Sequence, residues 1–307
     1  MANLPMSEVE NWVRLTVGTF TLADARKGIG IESPEADANL RRYLSRLVEK
    51  DILVRISGKD GVYRLVDNTV EEINLTNVDL ESKVALKLPF DIHKYVTFYP
   101  KNVILVAGEG NSGKTAFLYN IAVLNRQNFQ VDFFTNNEAS PQEIVQRIQA
   151  FNIEMPPAFK VYERYDNFGD VVKPNSITII DYLDLNSEVY LAAEEIKNIQ
   201  SKLGNGVAVI GMQLPPPTVT IYKGQKKLIH RELAYGGAFT EKRPVLYLNL
   251  WNNGQQNHGI CRIKKAKNRA QRNIDPNNMQ WEYTIDSFGA TFEKWDRYHE
   301  EDEYYDR

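Results

Sequence analysis

The chain has 307 residues, 43% of them hydrophobic, with 37 Lys and Arg against 40 Asp and Glu and a net charge of -3. That length accommodates one large domain or two unequal ones, and the near-balanced charge excludes a globally basic nucleic-acid binder, so any such contact must come from local patches. No run approaches the roughly 18 apolar residues of a membrane span, and the first residues lack a basic, then apolar, leader; the expectation is a cytoplasmic protein with no membrane partner.

Cys261 is the single cysteine and forms no internal disulfide. His93, His230, His258 and His299 are too scattered to suggest a zinc site.

Residues 1–66 read as a unit. Ser7 is placed to cap a first helix reaching about Val17, and Thr21 a second that stops at Gly28 and Gly30. In "SPEADANLRRYLSRLVEK", Ser33 stands at a cap position, Pro34 in the first turn, and Leu40, Leu44, Leu47 and Val48 recur at helical spacing. "ILVRISGKDGVYRLV" follows, two β-branched runs about a turn at Gly58, Lys59, Asp60 and Gly61, the pattern of a hairpin. Three helices and then a hairpin resemble a winged-helix domain. The resemblance implies that the third helix enters the major groove of DNA, with Asn39, Arg41, Arg42, Ser45 and Arg46 as contacts and Lys59 at the wing tip. Protein contact is the competing use.

Residues 67–89 have a weak pattern and read as a linker. A second domain then spans 90–295. "NVILVAG" is a buried strand, and "GKTAFLYNIAVLN" a helix with Phe117, Leu118, Ile121, Ala122 and Leu124 on its apolar side. Between them Gly108, Gly113, Lys114 and Thr115 fit G-x-x-x-x-G-K-[ST]. The spacing has a chemical reason: glycines let backbone N–H groups wrap a phosphate, the helix start adds its dipole, and a lysine reaches the β and γ phosphates. Gly108, Glu109, Gly110, Asn111, Ser112, Gly113, Lys114, Thr115 and Ala116 are therefore the expected binding loop for ATP, with the Thr115 hydroxyl on Mg2+. "NSITIIDYLDL" supplies the second metal-side group, a strand Ile177–Ile180 ending in Asp181.

The order of "AGEGNSGKTAFLYNIA", "VDFFTNNEASPQEIVQRI", "ITIIDYLDL", "GVAVIGMQL" and "IKKAKNRAQRN" resembles RecA-like ATPases, most of all the motor domain of DnaB-type hexameric helicases. The resemblance implies an α/β fold with a mostly parallel central sheet. It makes Glu138 the general base, with Asn136 and Asn137 as neighbours able to orient water, because "TNNEAS" is one residue longer before the acid than in those helicases. It makes Gln213 the sensor of the γ-phosphate, and Lys267 and Arg269 the cations inserted into a neighbouring subunit's site. The expected partners are thus DNA and further copies of the chain sharing active sites.

The stretch between Gln213 and Val245, punctuated by proline and glycine, reads as a basic loop in which Lys223, Lys226, Lys227 and Arg231 neutralise phosphates. Residues 296–307 are acidic and read as a solvated tail. The leading expectation is an ATPase that assembles on DNA and uses hydrolysis to remodel or release the assembly. A translocating helicase or loader, and an ATP-binding switch with little turnover, are the alternatives.

Overall fold

The computed structural model describes residues 4–16, 18–56, 61–68, 70, 72, 75–76, 78–79, 81–136, 140–183, 191–222, 225–286 and 289–298, with the backbone alone at 191, 222, 225–227 and 293–298. The chain divides between Val78 and Asp79 into two units.

The first unit runs α1 (Met6–Leu15), β1 (Thr19–Thr21), α2 (Leu22–Ile29), α3 (Pro34–Glu49), β2 (Leu53–Arg55) and β3 (Val62–Leu65). Ser7 lies inside α1 and does not cap it: Pro5, extended at φ -76 and ψ 144, stands before the first turn and offers no side-chain acceptor. Thr21 and Asp24 form a reciprocal capping box on α2, and Gly30 closes that helix at φ 73. Ser33 accepts the Ala36 N–H at the start of α3. The strands pair antiparallel in the order β1-β3-β2; β1 was not legible, because three residues do not display a period. Leu40, Leu44 and Leu47 on one stripe of α3 pack with Val9, Val13, Phe20, Leu53 and Tyr63. Gly28 lies where any Cβ would strike Trp12, which lets α2 approach α1.

The second unit is a nine-stranded sheet with helices. In chain order it comprises β4 (Val103–Gly108), α4 (Lys114–Asn125), β5 (Val131–Thr135), α5 (Pro141–Gln149), β6 (Lys160–Glu163), β7 (Ile177–Asp181), α6 (Leu191–Lys202), β8 (Val207–Gln213), β9 (Thr218–Tyr222), β10 (Gln225–Ile229), α7 (Ala238–Glu241), β11 (Leu246–Asn252), β12 (His258–Ala266), β13 (Gln280–Ile285) and β14 (Phe292–Tyr298). The sheet order is β14-β13-β12-β11-β4-β8-β7-β5-β6. From β11 to β6 the strands run parallel, and β12, β13 and β14 are antiparallel. The inner parallel strands are buried on both faces, as β4 and β7 are throughout, which is why they read as mainly apolar runs, whereas the edge strand β6 is partly exposed.

Alternate residues of β4 feed two cores, Ile104 and Val106 one, Val103, Leu105 and Ala107 the other. Helix α4 is enclosed on more than one face, and its apolar side is not the simple stripe read from sequence. Leu124 is 41% exposed, whereas Asn125 is buried with its amide donating to the carbonyls of Lys87 and Ile121. Leu86, Leu88, Phe90 and Ile92, from the stretch just before β4, are part of the same core.

One element departs from the reading of the Gln213–Val245 stretch as a loop. Strands β9 and β10 form a separate antiparallel hairpin, with Val219 opposite Leu228 and Thr218 opposite Ile229. The alternation Thr-Val-Thr-Ile-Tyr is a strand signal of its own, which the three prolines ahead of it obscure in the sequence.

Candidate nucleotide-binding site

In a parallel sheet all strands end on one edge, and the loops there form the usual ligand crevice. Gly108, Gln213 and Leu250 are in register on adjacent strands at that edge, and Asp181 is paired with Thr135 two strands away. A cavity of about 1110 Å3 opens here, lined by Glu109 through Ala116, by Gln213 and Leu214, by Pro216, Pro217, Leu228 and Tyr235, and by Asn252, Gly254 through Asn257, Ile285, Asp286, Gly289 and Arg147.

The phosphate loop owes its shape to two of its glycines. Gly113 has φ 78, and a Cβ there would lie 2.0 Å from Ile285 Cδ1. A Cβ on Gly108 would lie 2.7 Å from Ser112 Oγ and 3.0 Å from Lys114 Cβ. Gly110 has no neighbour within 4 Å of a Cβ, so the x position of the motif tolerates other residues. The buried Tyr283 hydroxyl donates to the Ser112 carbonyl and supports the loop from below; burial pushes that phenol well above its ordinary pKa, so it stays a donor.

Lys114 Nζ lies 3.4 Å from Asp181 Oδ1, both side chains being buried, and 4.2 Å from the centre of the Tyr182 ring. Asn136 joins the ends of β5 and β7: its N–H donates to the Asp181 carbonyl and its Oδ1 accepts from the Tyr182 N–H. Its Oδ1 therefore helps to hold the ends of β5 and β7 together. Tyr119, stacked on Phe133 at 4.3 Å, has its phenol pushed up to about 12, by burial first and then by the Asp181 charge. Arg147 lies over the same ring, 5.9 Å from its centre.

The fit to a nucleotide and Mg2+ rests on what the residues offer. Among the described residues, Ser112 Oγ and Asp181 Oδ2 are buried without a hydrogen-bond partner, an arrangement that favours an incoming ligand. Hydroxyl and carboxylate oxygens are the hard donors that Mg2+ takes together with phosphate. Among the described residues no cluster of three or more His, Cys, Asp or Glu could hold a metal by itself.

Two expected site residues sit elsewhere. Lys267 follows β12, which runs antiparallel to β11, so its N–H donates to the Val245 carbonyl while the Val245 N–H donates to the Val103 carbonyl at the beginning of β4. Arg269 bridges to Val96 and pairs with Asp275 at 2.7 Å. Five residue steps along β4 separate Val103 from Gly108, about 16 Å at the rise of a strand. Neither cation lines the cavity of its own chain.

Glu138, Asn137, Lys59 and Lys223 lie outside the described residues, as do residues 299–307 and the side chains of Lys226 and Lys227. Arg231 is exposed, and its carbonyl accepts from Trp251 Nε1. On α3, Arg41 pairs with Asp37, Arg42 donates to Asn39, Ser45 accepts from Arg55, and Arg46 is exposed. Asp37 also holds Arg26, so an acid sits within the face read as basic.

The sequence reading missed the far walls of the cavity. The polar turn "NNGQQN" after β11 faces the phosphate loop, with the Asn252 N–H donating to Glu109. A usable signal was present: β11 is a mostly apolar, parallel-type strand, and its following turn had to open on the same edge.

No protein-family model matches the chain, and no curated protein matches it. Among solved structures it is similar to the RadB recombinase at 14% identity and a TM-score of 0.44, over 62% of this chain and 90% of that one. It is similar to a further solved ATPase domain at 13% and 0.44, over 64% of this chain and 85% of that one. A DnaB-like replicative helicase, in a structure that describes its interactions with primase, matches at 13% and 0.47, over 66% of this chain and 59% of the helicase. Similarities of this size decide neither family nor chemistry. Among the described residues no helix is long and apolar enough to cross a membrane.

Proposed function

We propose that this chain is a Mg2+-dependent ATPase that binds DNA, assembles on it as a ring or filament with shared active sites, and uses hydrolysis to remodel or release that assembly. One observation carries the reading: a complete phosphate loop, the Lys114–Asp181 pair and Gln213 converge on one edge of a parallel sheet beside a cavity of about 1110 Å3.

In this reading the loop N–H groups hold the phosphates and Lys114 exchanges Asp181 for the β and γ oxygens. Thr115 and Asp181 hold Mg2+, which when bound neutralises charge on those oxygens. Glu138 takes the proton of the attacking water, and Gln213 reads the γ-phosphate.

Lys267 and Arg269 belong to the opposite edge of their own sheet, too far to serve their own site, which supports a role in the site of an adjoining subunit. The element order α1-β1-α2-α3-β2-β3 supports a winged helix in the first unit, with α3 presented to the major groove.

The test is complementation. Lys114→Ala and Arg269→Ala should each be inactive alone, and mixing them should restore turnover, because some junctions then pair an intact phosphate loop with an intact cation. No recovery from a mixed assembly rejects shared sites. A Glu138→Gln variant that binds ATP yet hydrolyses at the parent's rate rejects that residue as the base.

A further inference from the structure

The segment between β8 and β11 starts and returns at the phosphate loop. The Leu214 N–H donates to the Gly108 carbonyl at 2.9 Å, and the Tyr235 N–H to the Gln213 carbonyl at 3.0 Å. The hairpin β9–β10 projects between these two feet. Immediately after β10 comes His230, whose Nδ1 lies 2.8 Å from Oε1 of Glu109, the second residue of the phosphate loop. Glu109 is buried, and its other oxygen accepts from the Asn252 N–H at 3.0 Å. A carboxylate only accepts, so Nδ1 carries the proton. The imidazole is stacked on Trp251, ring centres 5.0 Å apart and planes at 15°.

We propose that the Glu109–His230 pair makes the state of the β9–β10 hairpin depend on the nucleotide in the phosphate loop. The inference rests on the nucleotide-binding reading above. Glu109 stands between Gly108 and Gly110, so the backbone that wraps a phosphate also carries this carboxylate. If His230 let go, a buried charge would lose a partner, which is costly enough that His230 follows the loop. His230 adjoins Ile229, the last residue of β10, so there is no slack through which the displacement could dissipate. Leu228, one step further, itself lines the cavity. By linkage, a ligand gripping the hairpin shifts nucleotide affinity by the same factor as nucleotide shifts affinity for that ligand. His230 is a positioning residue here, since it touches the loop and does not line the cavity.

The experiment is amide hydrogen exchange of the hairpin in the full-length chain, with and without the Mg2+ complex of a non-hydrolysable ATP analogue. In the parent, nucleotide should slow exchange in β9 and β10 by about threefold or more. At saturating analogue, His230→Leu should lose the hairpin response. His230→Asn, whose amide occupies the place of Nδ1, should retain it. Should His230→Leu fail to fold, His230→Met fills the same volume without a donor. A hairpin that responds equally in the donor-less variant, or that ignores bound analogue in the parent, overturns the coupling. A parent that does not bind the analogue overturns instead the nucleotide reading on which it stands.

Discussion

Two cation–aspartate pairs, one in each unit, are opposite in kind. Lys114 and Asp181 are 8% and 1% exposed, whereas Arg41 and Asp37 are 58% and 25% exposed. The first pair has given up its hydration, so each charge needs the other or a ligand in its place. The second is screened by water and salt, and its arginine exchanges partners at little cost. The contrast matches the proposed tasks: a nucleotide site must be pre-organised, whereas a DNA-facing helix needs cations that are free to move onto phosphates.

The largest break in that contrast is Lys114→Ala. It should abolish nucleotide binding and, by leaving Asp181 buried and unpaired, lower stability by about 3 kcal/mol. Lys114→Met combined with Asp181→Asn should recover much of the stability, read by urea unfolding, without recovering binding, read by a fluorescent ATP analogue. Stability unchanged in Lys114→Ala would mean the pair is not buried in solution.

The next effect separates two glycines of one loop. Gly113→Ala meets Ile285 and a left-handed backbone and should cost about 1–3 kcal/mol with loss of nucleotide affinity. Gly110→Ala meets nothing and should unfold within about 0.5 kcal/mol of the parent. Equal behaviour of the two would remove the steric account of the motif.

On the exposed side, Arg42→Ala and Arg46→Ala should each weaken duplex DNA binding modestly and lower the slope of log affinity against log salt by about one. A slope that does not change would take α3 off the DNA.

The smallest effect concerns pH. The Arg26 guanidinium, with help from Arg41, holds the Asp37 carboxyl below its ordinary value. A depressed folded value means that the stabilisation is present above the unfolded pKa of about 3.9 and is lost as pH falls through the folded one. Asp37→Asn should therefore be slightly less stable than the parent at pH 7, by urea unfolding followed by amide hydrogen exchange of α3, and the difference should close in strong acid. A difference that persists there would point to packing and not charge.

How much of this was legible depended on distance along the chain. The phosphate loop occupies one short span, so its glycines, Lys114 and the flanking strand and helix could be read directly, and Asp181 was marked by the apolar run it ends. The β9–β10 hairpin was read as a loop because prolines at 215–217 outweighed a short alternation. Leu124 was placed on the apolar side by period alone, and an α4 enclosed from several directions, with Asn125 buried and Leu124 exposed, does not obey a single stripe.

Local chemistry decided the turns, caps and strands, because hydrogen bonds and steric limits between near neighbours are encoded within a few residues of each other. What only the tertiary structure decided are the meetings across the sheet edge: Lys114 with Asp181, Ile285 against Gly113, and Glu109 with His230, 121 residues further along. The physical reason is strand order. Which loops share an edge is set by how β4, β7, β8 and β11 line up, and that order follows from the packing of whole helices and strands, which no window of residues contains.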